Sequence, residues 1–288
     1  MTVRVAAAPI SWGVCEVPGW GHQLAPERVL DEIEALGLDA VERGPDGFLP
    51  DDPDERDMLL KRHGLRMVGA FVPVVLHDPD RDPLGEIDRA LDGLPAETVL
   101  VLAAATGSTG YDTRPVLGAR EWGTLLRHLD AAVEHAAARD RAVTLHPHVG
   151  TLVEREREVV RVLDGCAVPL CLDTGHLLIG GTDPLALARS AAERVGHVHL
   201  KDVDVELARR VRDGETPYAE AVAKELYRPL GQGGVDVAGI VRALDESGYD
   251  GWYVLEQDTV LDAEPPGGRG PVEDVADGLA FLRKVAAP

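Results

Sequence analysis

The strongest constraint on this chain is a recurrence. A short apolar run is followed by an amphipathic stretch, and the pair repeats from one end of the sequence to the other. The first run, VRVAAAPI (Val3–Ile10), precedes APERVLDEIEALG (Ala25–Gly37). There Val29, Leu30, Ile33 and Leu36 share one helical face, and Gly37 stands where a helix C-cap is expected. Further runs at Asp39–Gly44, Leu65–Val74, Thr98–Ala105, Ala142–His148, Val168–Asp173, Val195–Asp202 and Gly251–Asp258 bring the predicted strands to eight. Helical patterns near Pro53–Gly64, Pro83–Leu94, Ala119–Arg139, Val153–Leu163, Pro184–Val195, Val237–Ser247 and Pro271–Ala286 separate or follow them. The longest turns Leu125, Leu126, Leu129, Ala132 and Val133 inward. Such alternation predicts an α/β fold with a parallel sheet. Eight repeats in 288 residues predict a single (β/α)8 TIM barrel, one domain over residues 1–288. A doubly wound open sheet is the fallback, but no Gly-x-Gly-x-x-Gly follows the first run. The loosest stretches are an excursion of about thirty residues after the seventh strand and the segment Gln257–Pro271, either of which reads as a lid or a plain surface loop.

Charge narrows the partners. Lys+Arg number 29 against 50 Asp+Glu, a formal charge of −21 at pH 7. Such a surface repels phosphate backbones and anionic membranes, so neither nucleic acid nor membrane is an expected partner, whereas a small uncharged substrate is unaffected. Cys15, Cys166 and Cys171 form no Cys-x-x-Cys pair, and a reduced, cytoplasmic setting is the simplest reading. Cys171, inside an apolar run, reads as a small core residue. The N-terminus lacks a signal-peptide pattern, and no run of about 18 apolar residues predicts a membrane span. The sequence leaves homo-oligomerisation open.

The chemistry gathers at strand ends, where a barrel of this kind places its active site. PLCLDTGHL ends its strand at Asp173, GHVHLKD carries His199, and WYVLEQD carries Glu256. Neighbouring strands thus deliver Asp, His and Glu to one rim, a mixture suited to a divalent ion such as Mn²⁺, Co²⁺ or Zn²⁺. Carboxylates at such a mouth are costly without a cation to pair with. Asp173 also reads as a helix N-cap, and His197 as a hydrogen-bonded core histidine. His146 and His148, two apart, lie on one side of the fifth strand. Either completes the metal shell while the other moves protons. Lys201 points the same way as His199, and a lysine at a desolvated mouth beside a metal is expected to have a lowered pKa. Its alternative is an ion pair with Asp202.

The segments HPHVGT, CLDTGHLLIGGTDP, GHVHLKDV, LYRPLGQGGVD and GYDGWYVLEQD, in this order, resemble inosose dehydratases, and more broadly the xylose-isomerase-like barrels of sugar isomerases, epimerases and dehydratases. APISWG and GLDAVERG also fit, so the resemblance covers most of the chain. It implies a divalent metal held by His146, Asp173, His199 and Glu256. His146 is the least secure of these, because much of the superfamily has Glu at that position and His148 or a water is an alternative ligand. It further implies proton handling by His148 and Lys201, and substrate contact by His176. The expected reaction is dehydration of a cyclic polyol ketone, 2-keto-myo-inositol, through an enolate, with Mn²⁺ or Co²⁺ ahead of Zn²⁺. The main alternative is an isomerase or epimerase on the same barrel. Such enzymes often use a pair of glutamates, and only Glu256 is clearly placed, with Glu42 and Glu154 as extras. An apurinic-site endonuclease is disfavoured by the negative charge, and a non-catalytic sugar-binding barrel by the presence of the metal cluster.

Overall fold

Val, Leu and Ala dominate the strand runs because both faces of each strand are covered, one by the barrel interior and one by helices. The computed structural model describes residues 3–287, in which the eight predicted strands close into one parallel barrel. The barrel strands, numbered along the chain, are Arg4–Ala7, Ala40–Glu42, Arg66–Val74, Val99–Ala104, Val143–Leu145, Leu170–Asp173, Val195–Leu200 and Trp252–Leu255. Closure comes from the first strand pairing with the eighth, Arg4 opposite Trp252 through Ala7 opposite Leu255. The helical faces pack as expected: Val29, Leu30, Ile33, Leu125, Leu129 and Ala132 are fully buried. Leu36, Leu126 and Val133 are partly buried against the same core. Gly37 follows the first helix (Pro26–Ala35) with φ +73°, the left-handed conformation that favours glycine.

Several strands are shorter than their apolar runs. The fifth ends at Leu145 and leaves His146 and His148 beyond the sheet. Pro147 between them has no N–H to give to a ladder. The first ends at Ala7, and Pro9 then opens a short 3-10 helix, Pro9–Trp12. A helix not expected from periodicity, Thr174–Gly180, begins directly after Asp173. The excursion after the seventh strand is built from helices Val205–Arg212 and Tyr218–Ala223.

That excursion has a closed neck. Asp202–Val203 pairs antiparallel with Tyr227–Arg228. The buried Asp202 carboxylate accepts backbone N–H groups of Val203 (3.0 Å), Gly231 (2.9 Å), Gly233 (2.9 Å) and Val235 (2.9 Å). Asp202 is therefore occupied by backbone and is not the ion-pair partner of Lys201. The Gln257–Pro271 segment is also pinned. The His22 backbone N–H donates to the Leu261 carbonyl at 2.7 Å, and Trp20 Nε1 to that of Thr259 at 3.0 Å. The loops after the first and eighth strands thus clasp one another over one side of the mouth. Among the described residues, no helix is long and apolar enough to cross a membrane.

Removing the Asp202 carboxylate strands several inward-facing N–H groups at once. Asp202→Ala is expected to cost about 3 kcal/mol in urea unfolding. A loss below about 1 kcal/mol would show that the neck closes without it.

Candidate metal centre

Strand register brings the first two donors together. Asp173 lies directly opposite His199 in the parallel pairing of the sixth and seventh strands, so both side chains point the same way, into the barrel mouth. Val254 of the eighth strand is opposite His199, and Glu256 follows two residues later, just past the strand end. His146 enters from beyond the fifth strand, its backbone N–H still bonded to the Leu102 carbonyl at 2.7 Å.

The resulting distances are short. His146 Nε2 is 3.2 Å from Asp173 Oδ2, Asp173 Oδ2 is 3.5 Å from His199 Nδ1, and His199 Nδ1 is 2.6 Å from Glu256 Oε2. Donors each about 2.0–2.2 Å from one ion stand about 3 Å from their neighbours; Asp173, His199 and Glu256 converge closely enough for a single cation, whereas His146 groups with Asp173 and His176. The decisive detail concerns the last pair. His199 Nδ1 and Glu256 Oε2 are buried and face each other at 2.6 Å, and neither makes a directed hydrogen bond to any other group among the described residues. Two buried donors converging this closely are what a cation satisfies.

Asp173 does two jobs. Its Oδ1 accepts the His176 backbone N–H at 2.7 Å and caps the Thr174–Gly180 helix, while its Oδ2 faces His146 and His199. The N-cap and metal readings of this residue therefore describe different oxygens.

Behind the ring of donors lies a residue whose job the sequence did not reveal. Glu42 Oε1 accepts from His199 Nε2 at 3.0 Å and from His197 Nε2 at 2.8 Å. This orients the His199 ring with Nδ1 toward the mouth, the carboxylate–histidine support common around metals, in which a bound ion would take the Nδ1 lone pair. His197 is the hydrogen-bonded core histidine expected of it. A bulge between Val41 and Glu42 re-aims the glutamate, and its partner across the sheet is Gly69. A Cβ on Gly69 would sit 2.2 Å from Glu42 Oε1, so only glycine leaves room for the carboxylate. Glu154 is likewise engaged, by the Gly150 N–H at 2.7 Å and by Arg114 at 3.1 Å.

The mouth opens into a cavity of about 350 Å³ whose wall includes Ile10, Trp20, Phe71, Tyr111, His148, Glu256 and Asp258. Burial, with His146 and Lys201 nearby, pushes the His148 imidazole down to about 3. Its Nδ1–H donates to the Val149 carbonyl at 2.7 Å, which leaves the Nε2 lone pair free. His176 is buried behind His148, with ring centroids 3.7 Å apart, and its Nε2 lies 3.4 Å from Lys201 Nζ. Burial also drives the His176 imidazole well below its usual value.

Lys201 departs from expectation. Burial acts to lower its pKa, but Asp258, Glu256 and Asp173 outweigh burial and hold the ammonium well above its ordinary value. Its Nζ is 3.2 Å from Glu256 Oε1 and forms a short ion pair with Asp258. Opposing influences also govern the carboxylates. Burial would raise Asp173 and Glu256, yet His176 and Lys201 for the first, and His199 and Lys201 for the second, keep both ionised.

The family model described as xylose isomerase-like TIM barrel matches residues 30–285. An inosose dehydratase of Geobacillus kaustophilus is 30% identical over 88% of this chain and 86% of its own length. The rhizopine catabolism protein MocC of Rhizobium meliloti is 32% identical over 89% of this chain and 82% of its own length. Among solved structures, the IolI protein with a bound zinc atom superposes with a TM-score of 0.68, covering 98% of both chains at 14% identity.

With a folded-state value near 3, His148 takes up no proton where an ordinary histidine does, near 6.5. Below that pH the unfolded chain binds a proton that the folded chain refuses, so this group alone makes stability fall as pH drops from 6.5 toward 3. NMR of ring-labelled histidines is expected to show His148 neutral and flat across pH 5–8. A midpoint near 6.5 would contradict the buried environment described above.

Proposed function

Because the chain belongs to the xylose isomerase-like TIM barrel family and, within it, to the inosose dehydratases, we propose that it is a metal-dependent hydro-lyase. Its substrate is a small cyclic polyol ketone, 2-keto-myo-inositol. The observation that carries this reading is the convergence of the buried His199 and Glu256 donors beside Asp173, with Glu256 opening onto a cavity walled by a neutral histidine. Asp173, His199 and Glu256 would hold the divalent ion, with His146 beside Asp173 as the fourth ligand. Mn²⁺ or Co²⁺ suits this mixed nitrogen and carboxylate set, and the zinc of the IolI structure makes Zn²⁺ the next choice.

When bound, the ion supplies Lewis-acid polarisation of the substrate ketone. His148, whose Nε2 lone pair is free at the cavity wall, removes the proton from the carbon next to the carbonyl. Lys201, charged at neutral pH, delivers a proton to the hydroxyl that departs one carbon further on. His176 lies between base and acid, against the ring of the first and the ammonium of the second, and fixes their separation around the substrate. The enol left after water departs tautomerises to a cyclic 1,2-dione. The alternative of an isomerase using two mouth glutamates is less favoured, because Glu42, which lines the same cavity as Glu256, is engaged by His197 and His199, and Glu154 by the Gly150 N–H and Arg114. The acidic surface and the small cavity support a soluble cytoplasmic enzyme of small-molecule metabolism.

Incubation with 2-keto-myo-inositol and Mn²⁺ should yield a product lighter by one water in mass spectrometry. A product of unchanged mass would favour the isomerase. EDTA should abolish turnover and Mn²⁺ or Co²⁺ restore it, whereas full activity in metal-free protein would remove the metal from the reaction. His148→Ala and Lys201→Ala should fold normally and each lose at least about 100-fold in kcat. Near-wild-type rates would take away those assignments.

A further inference from the structure

Nothing in the proton-transfer scheme explains what aims the Lys201 ammonium. Lys201 directly follows the seventh strand and its side chain is 1% exposed, so packing fixes its path but not the direction of the charged tip. Three carboxylates compete for that tip: Glu256 at 3.2 Å, Asp173 at 3.8 Å, and Asp258, which is nearest. The first two belong to the donor ring around the proposed ion. Left to them, the ammonium would be drawn into the ring, where it would compete with the metal cation.

Asp258 counters that pull, and it is itself held in place. Its Oδ1 takes the lysine, while its Oδ2 accepts the Tyr218 hydroxyl at 2.7 Å. Tyr218 in turn is 2.9 Å from the Tyr227 hydroxyl, and the Tyr227 ring lies 5.0 Å from Lys201 Nζ. Both tyrosines are buried, and both come from the excursion closed by the Asp202 neck. A hydroxyl that spends its one proton on a carboxylate oxygen leaves the other oxygen free to face the lysine.

We propose that Asp258, braced by Tyr218, is the positioning residue that holds the Lys201 ammonium beside the cavity wall that Asp258 lines, against the pull of the donor ring. The excursion after the seventh strand is thereby part of the catalytic apparatus. This rests on the assignment of Lys201 as the acid. Asp258→Asn keeps the size of the side chain and removes the charge, and Tyr218→Phe removes only the brace.

The test is a kinetic cycle on the metal-loaded enzyme, with metal content confirmed by elemental analysis. Asp258→Asn is expected to lower kcat by about tenfold or more while KM stays within about twofold, and Tyr218→Phe to do the same to a smaller extent. In a Lys201→Ala background, Asp258→Asn should cost less than about twofold further, because the residue it positions is gone. Asp258→Glu should recover part of the lost kcat. The proposal is overturned if Asp258→Asn costs the same factor with and without Lys201, if it acts on KM alone, or if the metal is lost. Should Asp258→Asn fail to fold, the Tyr218→Phe cycle is read by the same criteria, with the same outcomes for and against. Wild-type turnover in Lys201→Ala would instead show that the acid is misassigned, and would remove this brace with it.

Discussion

The arrangement at the mouth depends on one constraint: the register between the sixth and seventh strands. Asp173 opposite His199 is a backbone fact, set by ladder hydrogen bonds and by the packing of Leu172 and Val198 beside them. A slip of one residue would turn every side chain of the sixth strand to the other face, moving Asp173 out of the mouth and under the helices. The bulge between Leu170 and Cys171 sets the phase that avoids this. The precision of the Asp173–His199 pair therefore comes from the sheet, and His146 and Glu256 join it from just past their strand ends.

Around that fixed pair the protein has arranged charge in layers. Nearest the mouth, Asp173 and Glu256 stay ionised although burial opposes it, because cationic and imidazole groups surround them. One layer out, Glu42 takes the far nitrogen of His199, and Gly69 leaves the space the carboxylate needs. On the other flank Asp258 balances Lys201. Each ionised group has a partner of opposite sign or a directed hydrogen bond, the condition for burying so many charges together.

The barrel and the three strand-end donors were legible in the sequence because both follow from local pattern. Apolar runs end in a polar residue, and a parallel barrel assembles those ends on one rim. Asp173, His199 and Glu256 needed nothing more. Glu42 was not legible as the support of His199. Its role depends on a bulge and on a glycine 27 positions later in the chain, and neither leaves a periodic trace. Asp258 was in view, two residues past Glu256, but its partners lie in an excursion whose two helices, of eight and six residues, are too short to announce themselves by periodicity. The expected lowering of the Lys201 pKa went astray for the same reason. Desolvation can be guessed from a strand end, whereas the carboxylates that overcome it are gathered by tertiary structure.

Asp173 carries a further implication. One of its oxygens holds the start of the turn that bears His176, while the other belongs to the donor ring. A single rigid carboxylate cannot reorient for one role without disturbing the other. If the donor ring holds the proposed ion, its loading and the ordering of residues 174–180 would be thermodynamically linked, each favouring the other by the same free energy. His176, which packs against His148, would then reach its place most firmly once that ion is held.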